Sequence, residues 1–259
     1  MPELPEVEAY RVLAGSALSR TVVSVDAPDA WILKGVDAGA VTAALVGHSF
    51  TGARRRGKLL MLDTTGGPVL GMRFGMTGRL MVDGRAGVDK LLYSGARATA
   101  EWDRFAVRFA DGGDMRLHDP RRLGGVTLDP DESRLGADVA SVTPAALRAA
   151  LGHSTAPLKA RLLDQARLAG VGNLLADEAL WRAGLDPRRA AGSLSRAEHR
   201  RLYSHLRATV ADFIARGGSH SGDLMPARAR GGTCPRDGTP LSRSTVGGRT
   251  TWWCPKHQR

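Results

Sequence analysis

Residues 159–173 read Lys-Ala-Arg-Leu-Leu-Asp-Gln-Ala-Arg-Leu-Ala-Gly-Val-Gly-Asn, and a second helical pattern follows at Leu174–Trp181. The apolar spacing predicts a first helix over Lys159–Gln165. The glycines of Gly170-Val171-Gly172-Asn173 are typical of a tight turn before a helix, where free backbone N–H groups can bind phosphate. The segment therefore predicts two helices joined by tight turns, with Lys159 and Asn173 as candidate phosphate contacts.

Two further helices flank this segment. Thr143-Pro144 predicts a helix start that continues over Ala145–Leu151. Ser195-Arg196-Ala197-Glu198 has the pattern of a capping box, and Gly217-Gly218 ends the helix that it opens. One face of that helix is apolar and is formed by Leu202, Leu206, Val210 and Phe213. Residues 137–222 are accordingly predicted to form a helical domain.

The amino-terminal half predicts mostly strands. A helix should follow Pro5, carrying Val7, Leu13 and Leu18 inward, and another should cover Ala38–Leu45. The predicted strands are Thr21–Ala27, Leu59–Asp63, Val69–Phe74, Phe105–Ala110 and Asp114–Leu117.

The carboxy-terminal segment contains both cysteines, Cys234 and Cys254. It predicts a hairpin with strands at Thr239–Ser244 and Thr250–Trp253 and a turn at Gly247-Gly248. Two cysteines in a chain without an export signal favour metal binding over a disulfide.

The fold class is thus α+β with several domains. We expect an amino-terminal β-sandwich with flanking helices over residues 1–128, a linker at 129–136, the helical domain at 137–222 and a zinc-finger-type hairpin at 223–259.

The composition favours a polyanionic partner. Among 259 residues, Lys and Arg number 37 against 26 Asp and Glu, which gives a net charge of +11. Basic groups near phosphates gain affinity by releasing counterions. An arginine-rich genome explains part of this excess. No apolar run is long enough to span a bilayer, and the acidic start does not resemble a signal peptide, so we expect a cytoplasmic protein on the chromosome.

The amino terminus offers a nucleophile. Removal of the methionine before Pro2 would leave a secondary amine, and α-amino groups titrate near pH ~8, so part of it is unprotonated at neutral pH. Attack on a sugar carbon gives an iminium, and Glu3 could move the protons. Many chains begin Met-Pro, so these residues alone are more typical of a solvated terminus.

Five collinear motifs together resemble the formamidopyrimidine-DNA glycosylase and endonuclease VIII family. They are Met-Pro-Glu-Leu-Pro-Glu-Val-Glu at 1–8, Arg56-Gly57-Lys58-Leu59-Leu60, Gly75-Met76-Thr77-Gly78-Arg79-Leu80, Asp119-Pro120-Arg121-Arg122-Leu123-Gly124, and the segment from Lys159 through Asn173. The last resembles the family's helix–two-turns–helix element.

The resemblance implies a bifunctional DNA glycosylase and abasic-site lyase of base excision repair that acts by β- and δ-elimination. It implies that Pro2 is the nucleophile at C1′, that Glu3 is the general acid/base and that Lys58 lies beside the sugar and phosphate. Because the damaged nucleotide must be flipped out, Met76 would fill the gap, with Arg121 and Leu123 beside it. The other implied DNA contacts are Glu6, Lys159, Asn173 and Arg249. The partner would be double-stranded DNA with damaged bases or abasic sites, bound by a monomer without a soluble cofactor.

The carboxy-terminal hairpin departs from the family's four-cysteine pattern. The spacing is kept, but Asp237 and His257 stand with Cys234 and Cys254 at the four ligand positions. Both replacements are competent zinc ligands, so one structural Zn²⁺ is predicted. The alternative is a zinc-free hairpin held by the packing of Trp252 and Trp253. In either case Arg249 matches the family's phosphate-binding arginine.

The segment before Cys234 also departs from the branch specific for 8-oxoguanine. It is short, Ala227 and Ala229 stand where Tyr-x-Arg is expected, and Leu123 replaces phenylalanine. These differences indicate another range of lesions. Two other classes stay open: a non-catalytic DNA-lesion or abasic-site binding protein, and a basic zinc-ribbon protein that binds RNA.

Overall fold

The computed structural model describes residues 2–88, 91 and 99–259, which form two compact units. One unit comprises Glu6–Glu132 together with Pro2. The other comprises Ser133–Arg259 together with Glu3–Pro5. The first three residues after Pro2 therefore belong to the carboxy-terminal unit, although they lead into the first helix of the amino-terminal one.

The amino-terminal unit is a β-sandwich with flanking helices, as predicted. A five-stranded sheet has the order β1-β7-β8-β5-β6, and a four-stranded sheet has the order β2-β3-β4-β9. One apolar core contains side chains of both sheets, among them Leu60 and Met72 from the second and Phe105 and Leu117 from the first. Along the chain the elements are α1 (Leu4–Ala14), β1 (Val22–Asp26), α2 (Ala38–Leu45), β2 (Phe50–Arg56), β3 (Leu59–Thr64), β4 (Val69–Arg73), β5 (Arg79–Val82), β6 (Arg85–Ala86), β7 (Asp103–Phe109), β8 (Asp114–His118) and β9 (Gly125–Leu128).

Strand β2 was missed by the sequence analysis because its second half is a run of arginines. This strand lacks the alternation of apolar and polar residues that is typical of a strand, and ion pairs stabilise it instead. Arg54 binds Asp63 at 3.0 Å, and Arg55 binds Glu8 of α1 at 2.9 Å. Strands β5 and β9 were also missed, since four residues give too short a pattern to separate from a loop.

The carboxy-terminal unit is mainly helical. Helix α5 lies at its centre, with nearly every residue buried, and packs against α6 and the final strand. The capping box of Ser195 and Glu198 is present, as predicted. The elements are β10 (Ala137–Asp138), α3 (Pro144–Leu151), α4 (Leu158–Leu163), β11 (Leu168–Ala169), α5 (Asn173–Ala183), α6 (Arg196–Ala215), β12 (Ser242–Val246) and β13 (Arg249–Trp253).

The hairpin's first strand lies further along the chain than the predicted Thr239–Ser244. It runs over Ser242–Val246, because the two-residue turn at Gly247-Gly248 pairs Val246 with Arg249. Residues 234–239 form a separate tight turn, closed by a hydrogen bond of 2.7 Å from the N–H of Cys234 to the carbonyl of Thr239. That turn presents Asp237.

Candidate functional site

Glu3 is held by the start of helix α5. Its carboxylate accepts hydrogen bonds from the N–H of Leu174 at 2.8 Å and of Leu175 at 3.0 Å, and the side chain is 1% exposed. A carboxylate here satisfies two first-turn donors and complements the helix dipole. The turn was predicted to leave its backbone N–H groups free for phosphate; instead, the protein's own Glu3 occupies two of these first-turn donors.

The close approach of Glu3 requires a glycine at position 172. A Cβ at Gly172 would lie 2.0 Å from Cδ of Glu3. Gly170 has a φ of +108°, which L side chains rarely adopt. The two glycines therefore build a binding place for the carboxylate, and the candidate acid is fixed by backbone rather than by mobile side chains.

Lys58 lies in the tight turn between β2 and β3, where it is partly exposed. Gly57 supplies the positive φ of this turn, +58°. Arg55 braces it by donating to the Gly57 carbonyl at 2.9 Å and to Glu8 at 2.9 Å. Although burial raises the pKa of Glu8, hydrogen bonds from Arg11 and Arg55 lower it overall. Arg55 and Glu8 thus support Lys58, and the sequence analysis did not identify either.

Two loops of the amino-terminal unit come together around Asp119, which is fully buried. Its carboxylate accepts from the hydroxyl of Thr77 at 2.7 Å and from the N–H of Gly124 at 2.7 Å. Gly75, with a φ of +53°, lies so close to Leu123 that a Cβ would be 2.3 Å from the Leu123 carbonyl carbon.

This packing brings together the loops that carry Met76, Arg121 and Leu123. Met76 is partly exposed, Arg121 is exposed, and Leu123 keeps 50% of its surface in solvent. An apolar side chain that is exposed at a braced loop tip is suited to contact a partner. The structure therefore brings together the two loops that carry these side chains, while the grouping of the side chains and their role as a wedge stay predictions.

Lys159 was predicted to contact phosphate, but it is completely buried. Its ammonium lies 2.7 Å from the carboxylate of Asp177 and donates to the hydroxyl of Thr251 at 2.7 Å and to the carbonyl of Thr250 at 3.2 Å. Burial lowers the pKa of Lys159, and Asp177 opposes this effect. The predicted phosphate contact is therefore corrected: because Lys159 has no exposed surface, it fastens the hairpin to α5 instead of contacting DNA directly.

Asn173 and Arg249 are placed differently from Lys159. Asn173 is the first residue of α5, partly exposed, and its side-chain oxygen has no hydrogen-bond partner within the described part of the chain. Arg249 is exposed and begins β13, directly after the turn. Asp177 supports this strand, because its carboxylate also accepts from Arg228 at 2.7 Å and from the N–H of Trp252 at 3.3 Å.

In the other unit, Pro2 and Glu6 are buried. Pro2 directly precedes the anchored Glu3 in the chain.

The four residues at the predicted ligand positions lie together. Ligand atoms of Cys234, Asp237, Cys254 and His257 are all within 4.8 Å of one another. Nδ1 of His257 is 3.3 Å from the Asp237 carboxylate and 3.7 Å from Sγ of Cys234, while Sγ of Cys254 is 3.5 Å from Asp237. Ligand bonds of about 2.0–2.3 Å in a tetrahedron give edges of roughly this length. The donor set and spacing fit one metal ion.

Comparisons with known proteins agree with this architecture. The family model described as formamidopyrimidine-DNA glycosylase N-terminal domain matches residues 1–126, and the one described as formamidopyrimidine-DNA glycosylase H2TH domain matches residues 135–224. The chain is 33% identical to the formamidopyrimidine-DNA glycosylase of Carboxydothermus hydrogenoformans and 36% identical to that of Acidovorax ebreus, in each case over 100% of both chains. The chain belongs to the formamidopyrimidine-DNA glycosylase family.

Membership of the formamidopyrimidine-DNA glycosylase family confirms the predicted class of enzyme, a DNA glycosylase. Solved structures agree on the fold. A complex of the Lactococcus lactis enzyme with DNA that contains an abasic site has a TM-score of 0.84 at 23% identity, over 99% of each chain. A complex of that enzyme with DNA containing FAPY-dG has a TM-score of 0.85 at 24% identity, over 99% of this chain and 100% of the other.

The carboxy-terminal group of Cys234, Asp237, Cys254 and His257 could hold a metal ion. The sequence analysis located its four residues from their match to the spacing of the family's four-cysteine pattern. It missed Asp177 and Asp119, because each organises its neighbours through buried contacts that leave no periodic pattern. Within the described residues, no helix has both the length and the apolar character needed to cross a membrane.

Proposed function

We propose that this protein removes damaged bases from double-stranded DNA and cleaves the strand at the resulting abasic site, with Pro2 as the nucleophile. The observation that carries the proposal is the fixed carboxylate of Glu3, which directly follows Pro2 in the chain. A positioned acid/base contributes about 10²–10⁴ in rate, and only when it is held in place.

In the first step, the Pro2 nitrogen replaces the damaged base at C1′ of the sugar. The Pro2 nitrogen forms a bond to C1′ while the bond from C1′ to the base breaks, and the base leaves with a proton. Opening of the sugar ring gives a cationic iminium, and the ring oxygen takes up a proton that Glu3 delivers. Lys58 stabilises the negative charge of the neighbouring phosphate.

The second step uses the iminium as an electron sink. Loss of a C2′ proton breaks the C3′–O bond and releases the 3′ side of the strand. A further elimination breaks the C5′–O bond and leaves phosphate on both ends. Water finally hydrolyses the iminium and restores Pro2. No soluble cofactor takes part in these steps.

DNA would be held by groups from both units. Met76 is proposed to fill the gap left by the flipped nucleotide, with Arg121 and Leu123 beside it, while Arg249 and Asn173 bind phosphates. Glu6 is proposed to contact the lesion. A formamidopyrimidine is the first substrate to test, since relatives that cover the whole chain bear that name.

We infer that the metal of the carboxy-terminal group is zinc. Two thiolates, an imidazole and a carboxylate are a zinc-competent set, and a closed set of four protein ligands is typical of a structural site. The zinc would hold the hairpin that carries Arg249. It would take no part in the chemistry, and the enzyme is expected to act as a monomer on chromosomal DNA in the cytoplasm.

Borohydride trapping tests the proposal. Purified protein is incubated with labelled duplexes that contain an abasic site, a formamidopyrimidine, an oxidised pyrimidine or an alkylated base, and borohydride reduces any iminium to a stable covalent bond. We expect a trapped band with the wild type, a weaker one with Pro2→Gly, and no base removal with Glu3→Gln. Tight binding without any covalent band would instead identify a non-catalytic lesion-binding protein, and full activity of Glu3→Gln would overturn the mechanism.

A further inference from the structure

A cavity of about 420 Å³ lies between helices α3 and α6 of the carboxy-terminal unit. Helix α3 contributes Pro144 and Arg148, which are one turn apart. Helix α6 contributes residues that share one face by their spacing. These are Arg196, His199, Arg200 and Tyr203. The residues named for the candidate functional site do not line this cavity.

The cavity is cationic. Arg148, Arg196 and Arg200 are exposed, and none makes an ion pair with any residue that the structure describes. Other arginines of this unit are paired: Arg189 binds Glu198 at 2.6 Å, and Arg182 binds Glu178 at 2.8 Å. No carboxylate is among the residues that line the cavity, so an anion bound there would meet only positive side-chain charges.

The cavity also has a polar group in need of a partner. Nδ1 of His199 is buried and has no hydrogen-bond partner in the part of the chain that the structure describes. Burial, followed by the charge of Arg148, lowers the pKa of His199 although the charge of Glu198 opposes them, and this favours the neutral ring. A neutral imidazole can donate or accept a hydrogen bond at a ligand. Tyr203, one helical turn further along α6, is the aromatic residue of the lining.

We propose that this cavity binds a nucleotide, with the phosphate on the arginines and the base against Tyr203. Guanidinium groups bind phosphate through paired hydrogen bonds. Bases stack on aromatic rings and on guanidinium planes. The volume falls in the range of small-molecule sites, about 300–1,000 Å³. A cavity of this volume accommodates one nucleotide, whereas an extended acidic peptide would need a longer groove.

Two ligands carry this combination of a phosphate and a base: a free mononucleotide and the phosphorylated end of a DNA strand. Isothermal titration with deoxyguanosine monophosphate, deoxyguanosine and inorganic phosphate tests the first. We expect saturable binding of the monophosphate and an affinity loss of about tenfold for Arg200→Ala and for Arg148→Ala, as one charged hydrogen bond to phosphate is worth roughly 1.5 kcal/mol or more. Arg216→Ala is the control, because it removes an equal charge at the other end of α6.

The Tyr203→Leu variant distinguishes the contribution of the base to binding from that of the phosphate. It should weaken binding of the monophosphate but leave binding of inorganic phosphate unchanged. Oligonucleotides with a 5′-phosphate or a 5′-hydroxyl test the second ligand in a duplex without a lesion. A preference for the phosphorylated end that Arg200→Ala abolishes would support the proposal and name DNA ends as the ligand.

Three results would overturn the proposal. They are unchanged affinity in both arginine variants, no saturable binding of either the mononucleotide or the phosphorylated end, and binding of hexaglutamate as tight as that of the monophosphate. Base excision by Arg200→Ala should equal that of the wild type, so failure of the nucleotide site is distinguishable from failure of the catalytic proposal.

Discussion

Gly172 and Glu3 are in such close contact that any side chain at position 172 would overlap with the Glu3 carboxylate. A Cβ at position 172 would lie 2.0 Å from Cδ and 2.4 Å from Oε1 of Glu3. The same turn supplies the N–H groups that bind this carboxylate. The turn that contains Gly172 therefore fixes the Glu3 carboxylate, which directly follows Pro2 in the chain.

Gly172→Ala should displace Glu3 and lower the rate of base excision by at least about 100-fold, within the usual contribution of a positioned acid/base. Binding to a duplex with a non-cleavable abasic analogue should change much less, because the predicted phosphate contacts remain. Single-turnover kinetics and a binding titration measure the two quantities. Gly15→Ala is the matched control, since a Cβ there meets nothing within 4 Å. Equal losses in both variants would contradict the explanation.

The buried pair of Lys159 and Asp177 predicts a large effect on stability. Removing one partner of a buried ion pair leaves an uncompensated charge and typically costs about 3–5 kcal/mol. Because Arg228 still pairs with Asp177 at 2.7 Å, we expect Lys159→Met to lower the free energy of unfolding in denaturant titrations, but by less than that amount. The double variant with Asp177→Asn should lose further stability, because it also leaves the buried Arg228 without its carboxylate partner.

A role of Lys159 as a phosphate contact predicts different results for the same variant. If Lys159 contacted DNA, Lys159→Met would leave stability unchanged and would reduce the salt dependence of DNA binding by about one phosphate contact. A stable Lys159→Met protein with a reduced salt slope would therefore restore the original sequence-based assignment.

Lys159 also illustrates what the sequence could not supply. The spacing predicted the helices, the turn and the four metal-binding positions, because periodicity, glycine and ligand spacing are local features. The burial of Lys159 depends on Asp177 and Thr251, the latter 92 residues away along the chain. Likewise, strand β2 depends on ion pairs with residues as distant as Glu132. Contacts of this kind leave no local pattern.

Glu198 predicts how stability depends on pH. The hydrogen bond from Arg189 is the largest cause that lowers the pKa of Glu198, from 4.5 to about 2. Because the folded-state pKa is below the unfolded one, this contribution is present above pH 4.5 and is lost as the pH falls toward 2. Both side chains of this ion pair are partly exposed, so solvent screening should keep the effect modest. Between pH 4.5 and about 2, the melting temperature of Glu198→Gln should change less with pH than that of the wild type. An equal pH dependence in the two proteins would contradict the assigned effect of Glu198.

The metal group predicts an effect of ligand substitution. Thiolate is a commoner ligand than carboxylate in structural zinc sites, so Asp237→Cys should retain zinc at higher concentrations of a competing chelator than the wild type. Asp237→Ala should lose it at lower concentrations. Zinc per chain, measured after dialysis against the chelator, gives the order directly. Equal retention by all three proteins would show that Asp237 is not a ligand.

Arg249 predicts a specific loss of DNA affinity. It is exposed at the first residue of β13, and the following strand is fastened to α5 through Lys159 and Asp177, so its position is fixed while its guanidinium remains accessible. Arg249→Ala should weaken binding to an abasic-analogue duplex by about tenfold and reduce the salt slope by roughly one phosphate contact. Arg243→Ala, on the neighbouring strand of the same hairpin, removes an equal charge and should have a much smaller effect. Equal losses in the two variants would mean that the hairpin contributes general positive charge rather than one placed phosphate contact, and the proposed role of Arg249 would be wrong.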